Sequence, residues 1–249
     1  FYPEHLQIVK GAPEKRRDFL NIAVSGVDPT YIPLYANYVK ILENRNALLK
    51  QASRGMAVDR DELVAWSESL ATVAADIYIR RRAYLLGFAP MAEEMLRALS
   101  EERETLALSP EADTGAETLV DAEGDYRACF LSHLDRECAA GCTLFGPHRD
   151  DVKMMLSGLD ARVYASQGQQ RSIVLALKLA EGEYARHVTG EYPVFLFDDV
   201  MSELDARRRS FLLGLGGGRQ LILTSCEEAG PAAENVIRVS GGNYVSAYR

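Results

Sequence analysis

Residues 164–205 restrict what this chain can fold into more than any other part of it. They open on a polar, glycine-containing turn, Ala165-Ser166-Gln167-Gly168-Gln169-Gln170-Arg171-Ser172, and continue as a long helical pattern. They close on Val194-Phe195-Leu196-Phe197-Asp198-Asp199. Ser166 has the side chain of a helix cap, and Gln169, three residues on, completes a capping box. The helix it opens presents unpaired N–H groups outward, at an end that attracts anions. Pro193 and the apolar run to Phe197 predict a short strand buried on both faces, as in the middle of a parallel sheet. Two carboxylates at the edge of such a strand are costly unless their charge is used. Neighbouring strand residues point opposite ways, so Asp198 and Asp199 have separate tasks. One suits a magnesium ion, and the other suits positioning or deprotonating a water. Ser202-Glu203-Leu204-Asp205 then gives another turn-then-helix signal.

With 249 residues, 47% of them hydrophobic, the chain has enough apolar material for one large domain or two modest ones. Its net charge of -8 argues against broad coating of nucleic acid, because affinity for phosphates scales with the cations supplied. Any DNA site has to be a local basic patch. No signal peptide and no apolar run of the roughly eighteen residues a membrane helix needs are present, so nothing argues for a membrane or for secretion. Cys129, Cys138, Cys142 and Cys226 lack framework spacing and read as free thiols of a cytosolic protein. Cys129 with His133, and Cys138 with Cys142, are i,i+4 pairs near His148. Zinc patterns use tighter cysteine pairs, and the segment reads instead as an amphipathic helix.

Taken in order, Lys10, Lys15, Arg16 and Arg17 form a basic cluster, either a solvated helix start or a phosphate contact. Residues 31–100 show helical periodicity, interrupted at Arg54-Gly55-Met56, restarted at Asp61 and bent by Gly87 to Pro90 into a third run. This predicts a helical hairpin or arm. Arg80-Arg81-Arg82 on it spread around the helix and cannot form one flat patch. Residues 109–124 read as a surface loop, 125–140 as a helix, and Thr143-Leu144-Phe145 as a strand. Gly146-Pro147-His148-Arg149-Asp150-Asp151 is then either a salt-bridged turn closing the arm's base or a face that turns His148 and Arg149 toward a nucleotide, DNA or a partner subunit. Ser157-Gly158 marks a hairpin between 152–156 and 159–163. Arg207-Arg208-Arg209 begins a helix, Leu221-Ile222-Leu223 is a second buried strand ending in Thr224-Ser225, and residues 236–248 close with a hairpin.

The blocks SQGQQR, LFDDVMSELD and the upstream GPHRDD together resemble the C-terminal part of the RecF family of bacterial recombination mediators, ATPases of the ABC type related to SMC proteins. The resemblance implies an α/β, P-loop NTPase (ABC/SMC-like) C-terminal lobe with an inserted helical arm domain. Residues 1–30 would belong to the ATPase lobe, 31–139 to the arm, and 140–249 to the lobe with its signature motif, Walker B strand and D-loop. It implies ATP and Mg2+ as ligands, sandwiched between two subunits of an ATP-dependent homodimer. Ser166, Gln167, Gly168 and Gln169 would face the γ-phosphate, and Asp198 would hold magnesium through a water. Asp199 would orient the attacking water, Ser202 and Asp205 would form the D-loop, and Thr224 would act as a sensor. ABC enzymes usually carry glutamate where Asp199 stands, which implies slow hydrolysis. The partners implied are gapped or double-stranded DNA and the RecR and RecO mediators, in recombinational repair and replication.

No Gly-Lys dipeptide occurs, so the phosphate-cradling loop Gly-x-x-x-x-Gly-Lys-[Ser/Thr] is missing and is expected ahead of Phe1 in a longer sequence. On that expectation this stretch alone binds ATP poorly and hydrolyses essentially none. Two other classes fit the residues: an interaction module in which the arm does the work, and a metal-dependent nuclease using Asp150, Asp151, Asp198 and Asp199.

Overall fold

The computed structural model describes residues 3–201, 204–215, 218–226, 235–240 and 243–248. The chain enters through a 3-10 turn and α1 (Gln7–Lys10), then α2 (Pro13–Val27), where Pro13 occupies a first-turn position whose N–H has no helical partner anyway. Next come α3 (Tyr31–Ser53) and α4 (Arg60–Ser100), which Asp59 caps by accepting from the Asp61 and Glu62 amides. The bend expected at Gly87 to Pro90 is absent: α4 runs unbroken for 41 residues with Pro90 inside it.

Residues 109–124 are not one loop. β1 (Leu106–Glu111) pairs antiparallel with β2 (Asp151–Leu156), and α5 (Leu119–Ser132) starts early because the Thr118 hydroxyl caps the Asp121 amide. Pro110 is tolerated because β1 is an edge strand of this sheet. The expected single helix over 125–140 is divided at His133 between α5 and α6 (Leu134–Ala140). Thr143-Leu144-Phe145 forms no strand. The Thr143 and Leu144 amides donate to the side chains of Asn46 and Glu137, so neither needs a strand partner.

The hairpin after β2 turns on Ser157 (φ 47°) and Gly158 (φ 85°), both left-handed as a two-residue turn requires. Its return strand β3 (Leu159–Asp160) stops short of Val163, because the Asp160 carboxylate caps α7 (Ala161–Tyr164). α8 (Gln167–Thr189) follows, then β4 (Phe195–Asp198), α9 (Ala206–Leu213) and β5 (Leu221–Thr224). β4 and β5 pair in parallel, Asp198 opposite Thr224, with α9 as the crossover. β6 (Asn235–Ser240) and β7 (Asn243–Tyr248) form the expected closing hairpin, whose Gly241-Gly242 turn lies outside the described residues.

β4 is covered on one face, not two. Phe195 and Phe197 are buried, whereas Leu196 is 60% exposed and Ile222 on β5 is 49% exposed. The covered face meets α8 so closely that a Cβ at Gly182 would lie 2.2 Å from the Phe195 ring. Gly87 performs the same service between α4 and α8, where a Cβ would stand 2.6 Å from the Tyr184 ring. That glycine marks a close approach rather than a turn.

One apolar core runs from Ile8 through α4 and α8 to Leu212, with a satellite of Leu49, Leu63 and Leu134 where α3, α4 and α6 meet. Arg45, fully buried, pins these helices: it pairs with Glu137 at 2.6 Å and donates to Ser67 and Thr143.

Candidate functional site

The turn that opens α8 has the capping geometry its sequence implies. Ser166 Oγ accepts from the Gln169 amide at 3.3 Å, and Gln169 Oε1 accepts from the Ser166 amide at 2.8 Å. Both N-terminal groups being satisfied, the remaining first-turn amides are left to face outward. Ser166 and Gln167 are exposed, and among the described residues no atom outside the turn's own backbone lies within 4 Å of the Cβ position of Gly168, so another molecule can approach the backbone there. Gln170, by contrast, is buried and donates to the Ala165 carbonyl, anchoring the turn from beneath.

At the C-terminal end of β4 the Thr224 hydroxyl ties two acids together. It donates to Asp198 Oδ1 at 2.5 Å and accepts from the Asp199 amide at 3.0 Å. Asp198, Asp199 and Thr224 are all exposed. Asp199 lies just past the strand with φ 49°, a left-handed conformation that aspartate tolerates better than most residues. Strand alternation therefore does not separate the two acids as the sequence argument assumed; the backbone turn at Asp199 does. Ser202 lies outside the described residues, as does Glu203.

Asp205 caps α9, accepting from the Arg208 amide at 2.9 Å, and this bond leads the causes that hold its carboxyl below the ordinary range. The Arg208 side chain also reaches two ways. It pairs with Asp205 at 2.5 Å and donates to Ser172 Oγ at 2.9 Å. Ser172 in turn donates to the Gly168 carbonyl at 3.1 Å. Thus the Ser166 turn and the segment following the acidic edge are joined through α9. In the sequence Arg207-Arg208-Arg209 marks only a helix start, and nothing local gives Ser172 a role. The local Asp-x-x-Arg spacing of 205 and 208 was the available signal; the partner 36 residues away was not.

The hexapeptide 146–151 closes the base of the arm. His148 is turned inward: its Nδ1 accepts from the Tyr38 hydroxyl at 2.6 Å and its Nε2 faces the Thr143 carbonyl at 3.2 Å, a neutral tautomer. Burial pushes its pKa down to about 4, and both ring nitrogens are taken by partners within the fold. Arg149 is exposed, with its guanidinium on the Thr143 carbonyl. Asp151 is held by a bidentate pair with Arg16, and Asp150, nine-tenths buried, lies 4.0 Å from Arg81. Arg80 pairs with Asp76 and Asp28, and Arg82 with Glu117, so the arginine run is spent inside the molecule. Only Lys10 and Lys15 of the first basic cluster are exposed.

Among the described residues no group of three or more His, Cys, Asp or Glu side chains can hold a metal. The four-aspartate nuclease cluster is therefore not assembled: Asp151 is taken by Arg16 and Asp150 is buried away from any metal-sized group of acids. The Cys129 thiol, pushed up to about 11 by burial, is a poor thiolate ligand. No helix among the described residues is long and apolar enough to cross a membrane.

No protein-family model matches the chain. It is 41% identical to the DNA replication and repair protein RecF of Heliobacterium modesticaldum over 218 residues, covering 86% of this chain and 57% of that relative. It is 38% identical to the RecF of Symbiobacterium thermophilum over 256 residues, covering 98% of this chain and 67% of the relative. Among solved structures, the recombination mediator protein RecF-ATP in the RecFOR pathway superposes with a TM-score of 0.88 at 31% identity, over 99% of this chain and 66% of that one. The Smc head domain of Pyrococcus furiosus superposes with a TM-score of 0.52 at 13% identity, over 99% of this chain and 60% of that one, a likeness of fold alone. The chain thus spans about three-fifths of the length of several curated relatives it matches, and its fold is that of an ABC/SMC-like P-loop ATPase lobe carrying helical elements. A relative matched at this identity over two thirds of its own length settles the membership: the chain belongs to the RecF family.

Proposed function

We propose that this chain supplies two edges of the ATP sites formed between two copies of a RecF-type protein, which acts on gapped or double-stranded DNA in recombinational repair with RecR and RecO mediators. The observation that carries the reading is the pairing of an outward-facing helix start, fixed by the Ser166–Gln169 capping box, with the Thr224-tied acidic edge at Asp198 and Asp199, joined through α9. The likeness to a RecF-ATP structure supports ATP as the anion.

In this reading Ser166, Gln167, Gly168 and Gln169 of one copy meet the γ-phosphate held by the other. The open approach at Gly168 and the α8 dipole favour that charge. Asp199 orients the attacking water, and Thr224 senses the phosphate while keeping Asp198 in place. Asp205 lines the contact between copies from the start of α9, together with Ser202. Magnesium, when bound with ATP, neutralises charge between the phosphates. Asp198, a hard oxygen donor, would hold it through a water, with the Thr224 hydroxyl keeping that carboxylate in place. Aspartate at 199, shorter than glutamate, makes the hydrolysis slow. The arm, residues 31–139, is left to serve partners.

The test is ATP binding and sedimentation velocity on the complete gene product. ATP is expected to convert monomer to dimer, and Asp199→Asn to slow hydrolysis by roughly 100-fold while the dimer persists. Failure to bind ATP overturns the reading, as does wild-type hydrolysis by Asp199→Asn together with normal dimerisation of Ser166→Arg. On gapped DNA, a shift that is absent or insensitive to salt removes the DNA part.

A further inference from the structure

Arg207 and Arg208 sit side by side at the start of α9 and grip different elements. Arg207 Nη2 donates to the Leu99 carbonyl at 3.1 Å, and its Nε lies 3.0 Å from Glu101, so it holds the C-terminal end of α4. Arg208 bridges Asp205 and Ser172, and through the Ser172 hydroxyl it reaches the Gly168 carbonyl. The segment that follows α4 also touches the turn directly, since Gln169 Nε2 donates to Glu104 Oε1 at 2.9 Å. Glu101 and Glu102, which carry the chain from α4 toward that contact, are both left-handed (φ 53° and 62°). Two consecutive non-glycine residues in that region persist only when their surroundings enforce them.

We infer that Arg208 is a positioning residue: with Asp205 and Ser172 it forms a relay that fixes the Gly168 turn in register with the acidic edge and, through the adjacent Arg207, with the end of the arm helix. The inference rests on the ATP-site reading above and adds a regulation to it. In a dimer the Gly168 turn and the Asp198 edge of one copy serve different nucleotides. A rigid link between them within that copy makes occupancy of one nucleotide alter the grip on the other. Arginine suits the place because its planar fork serves a carboxylate and a hydroxyl at once, which a lysine ammonium at the end of its stem does not.

The experiment uses the complete gene product and compares wild type with Arg208→Ala, Arg208→Lys and Ser172→Ala. Steady-state ATP hydrolysis gives kcat, KM and the Hill coefficient, and amide hydrogen exchange reports on residues 167–172. Expected are a Hill coefficient above 1 in wild type and close to 1 in all three variants. The fall in kcat should be at least tenfold for Arg208→Ala and about threefold for Ser172→Ala, with KM changed less than threefold and exchange at 167–172 accelerated. Arg208→Lys should resemble Arg208→Ala in kcat while keeping the wild-type melting temperature, which separates the relay from a merely structural charge. If Arg208→Ala fails to fold, Ser172→Ala, a loss of one oxygen, decides by the same readouts. If wild type binds ATP and dimerises but shows no cooperativity, or if the variants keep its kcat and Hill coefficient, the relay is wrong and the ATP reading stands. If wild type neither binds ATP nor dimerises, both fall.

Discussion

Arg45 and Glu137 are both fully buried, and each is costly without the other. Removing one partner strands an uncompensated charge, a loss of about 3–5 kcal/mol, whereas replacing both with apolar groups removes the desolvation penalty as well. Arg45→Met is therefore expected to lower the unfolding free energy by about that amount, and Arg45→Met/Glu137→Leu to recover more than half of it, as read by urea titration. A second pair opposes itself in pH. Burial lowers His148 to about 4, so the unfolded state takes up the proton first and stability is lost as pH falls from about 6.5 to about 4. Burial, assisted by Asp113 and opposed by Arg81 and Arg17, raises Asp150 to about 7. The folded state then holds the extra proton, and stability is lost as pH rises from about 4 to about 7. Asp150 Oδ1, which has no hydrogen-bond partner among the described residues, shows why ionisation there is costly. His5, lowered to about 4 chiefly by burial, adds to the His148 trend over the same window, and Asp150 opposes both. Asp150→Asn should leave the two histidines unopposed, so its melting temperature climbs more steeply from pH 4 to 6.5 than that of wild type, and His148→Gln should make the slope shallower than that of wild type.

At the scale of single elements, Pro90 is the clearest local conflict. It lies on the exposed side of α4 yet removes a helical N–H, at an intrinsic cost of about 3 kcal/mol relative to alanine. Pro90→Ala is expected to raise the melting temperature, by the equivalent of about 1–3 kcal/mol; a fall would mean that packing of α4 on α8 depends on the local distortion. The same helix shows what was legible beforehand. Its apolar spacing announced a helix, but Gly87 and Pro90 were read as a bend because the Tyr184 ring that requires a glycine lies almost a hundred residues away. Capping is local, so the Ser166–Gln169 box was readable from four residues, as was the parallel βαβ unit from its two apolar runs. The strand assigned to 143–145 failed because its backbone donors are taken by Asn46 and Glu137, which no local pattern reveals. The acids and Thr224 were found as residue types, whereas the Arg208–Ser172 bond, like the inward turn of His148 onto Tyr38, exists only once the helices are packed.

For the molecule as a whole, the question is whether arm and lobe are one cooperative unit. α4 contributes Leu70, Ile77 and Phe88 to the same core that α8 fills with Ile173, Leu175 and Leu177, and no solvent layer divides that cluster from Ile8 to Leu212. Among the described residues only the satellite of Leu49, Leu63 and Leu134 stands apart, too small to hold three helices together unaided. The buried Arg45 network lies between the two clusters and ties α3, α4 and α6 to the 143–151 turn, whose Asp151 is in turn locked to α2 by Arg16. Separating the arm would break the bonds of Arg80 to Asp28, Arg81 to the Pro147 carbonyl and Arg45 to Thr143, and leave the long α4 without α8. The single tryptophan, Trp66, sits on α4 near the arm's end and reports on that region alone, while far-UV circular dichroism averages over every helix. In urea the two signals should therefore fall along one curve with the same midpoint. A Trp66 transition at clearly lower urea, with most of the helical signal intact, would instead make the arm a separate domain and confine any coupling between it and the Ser166 turn to the contacts at Glu101 and Glu104.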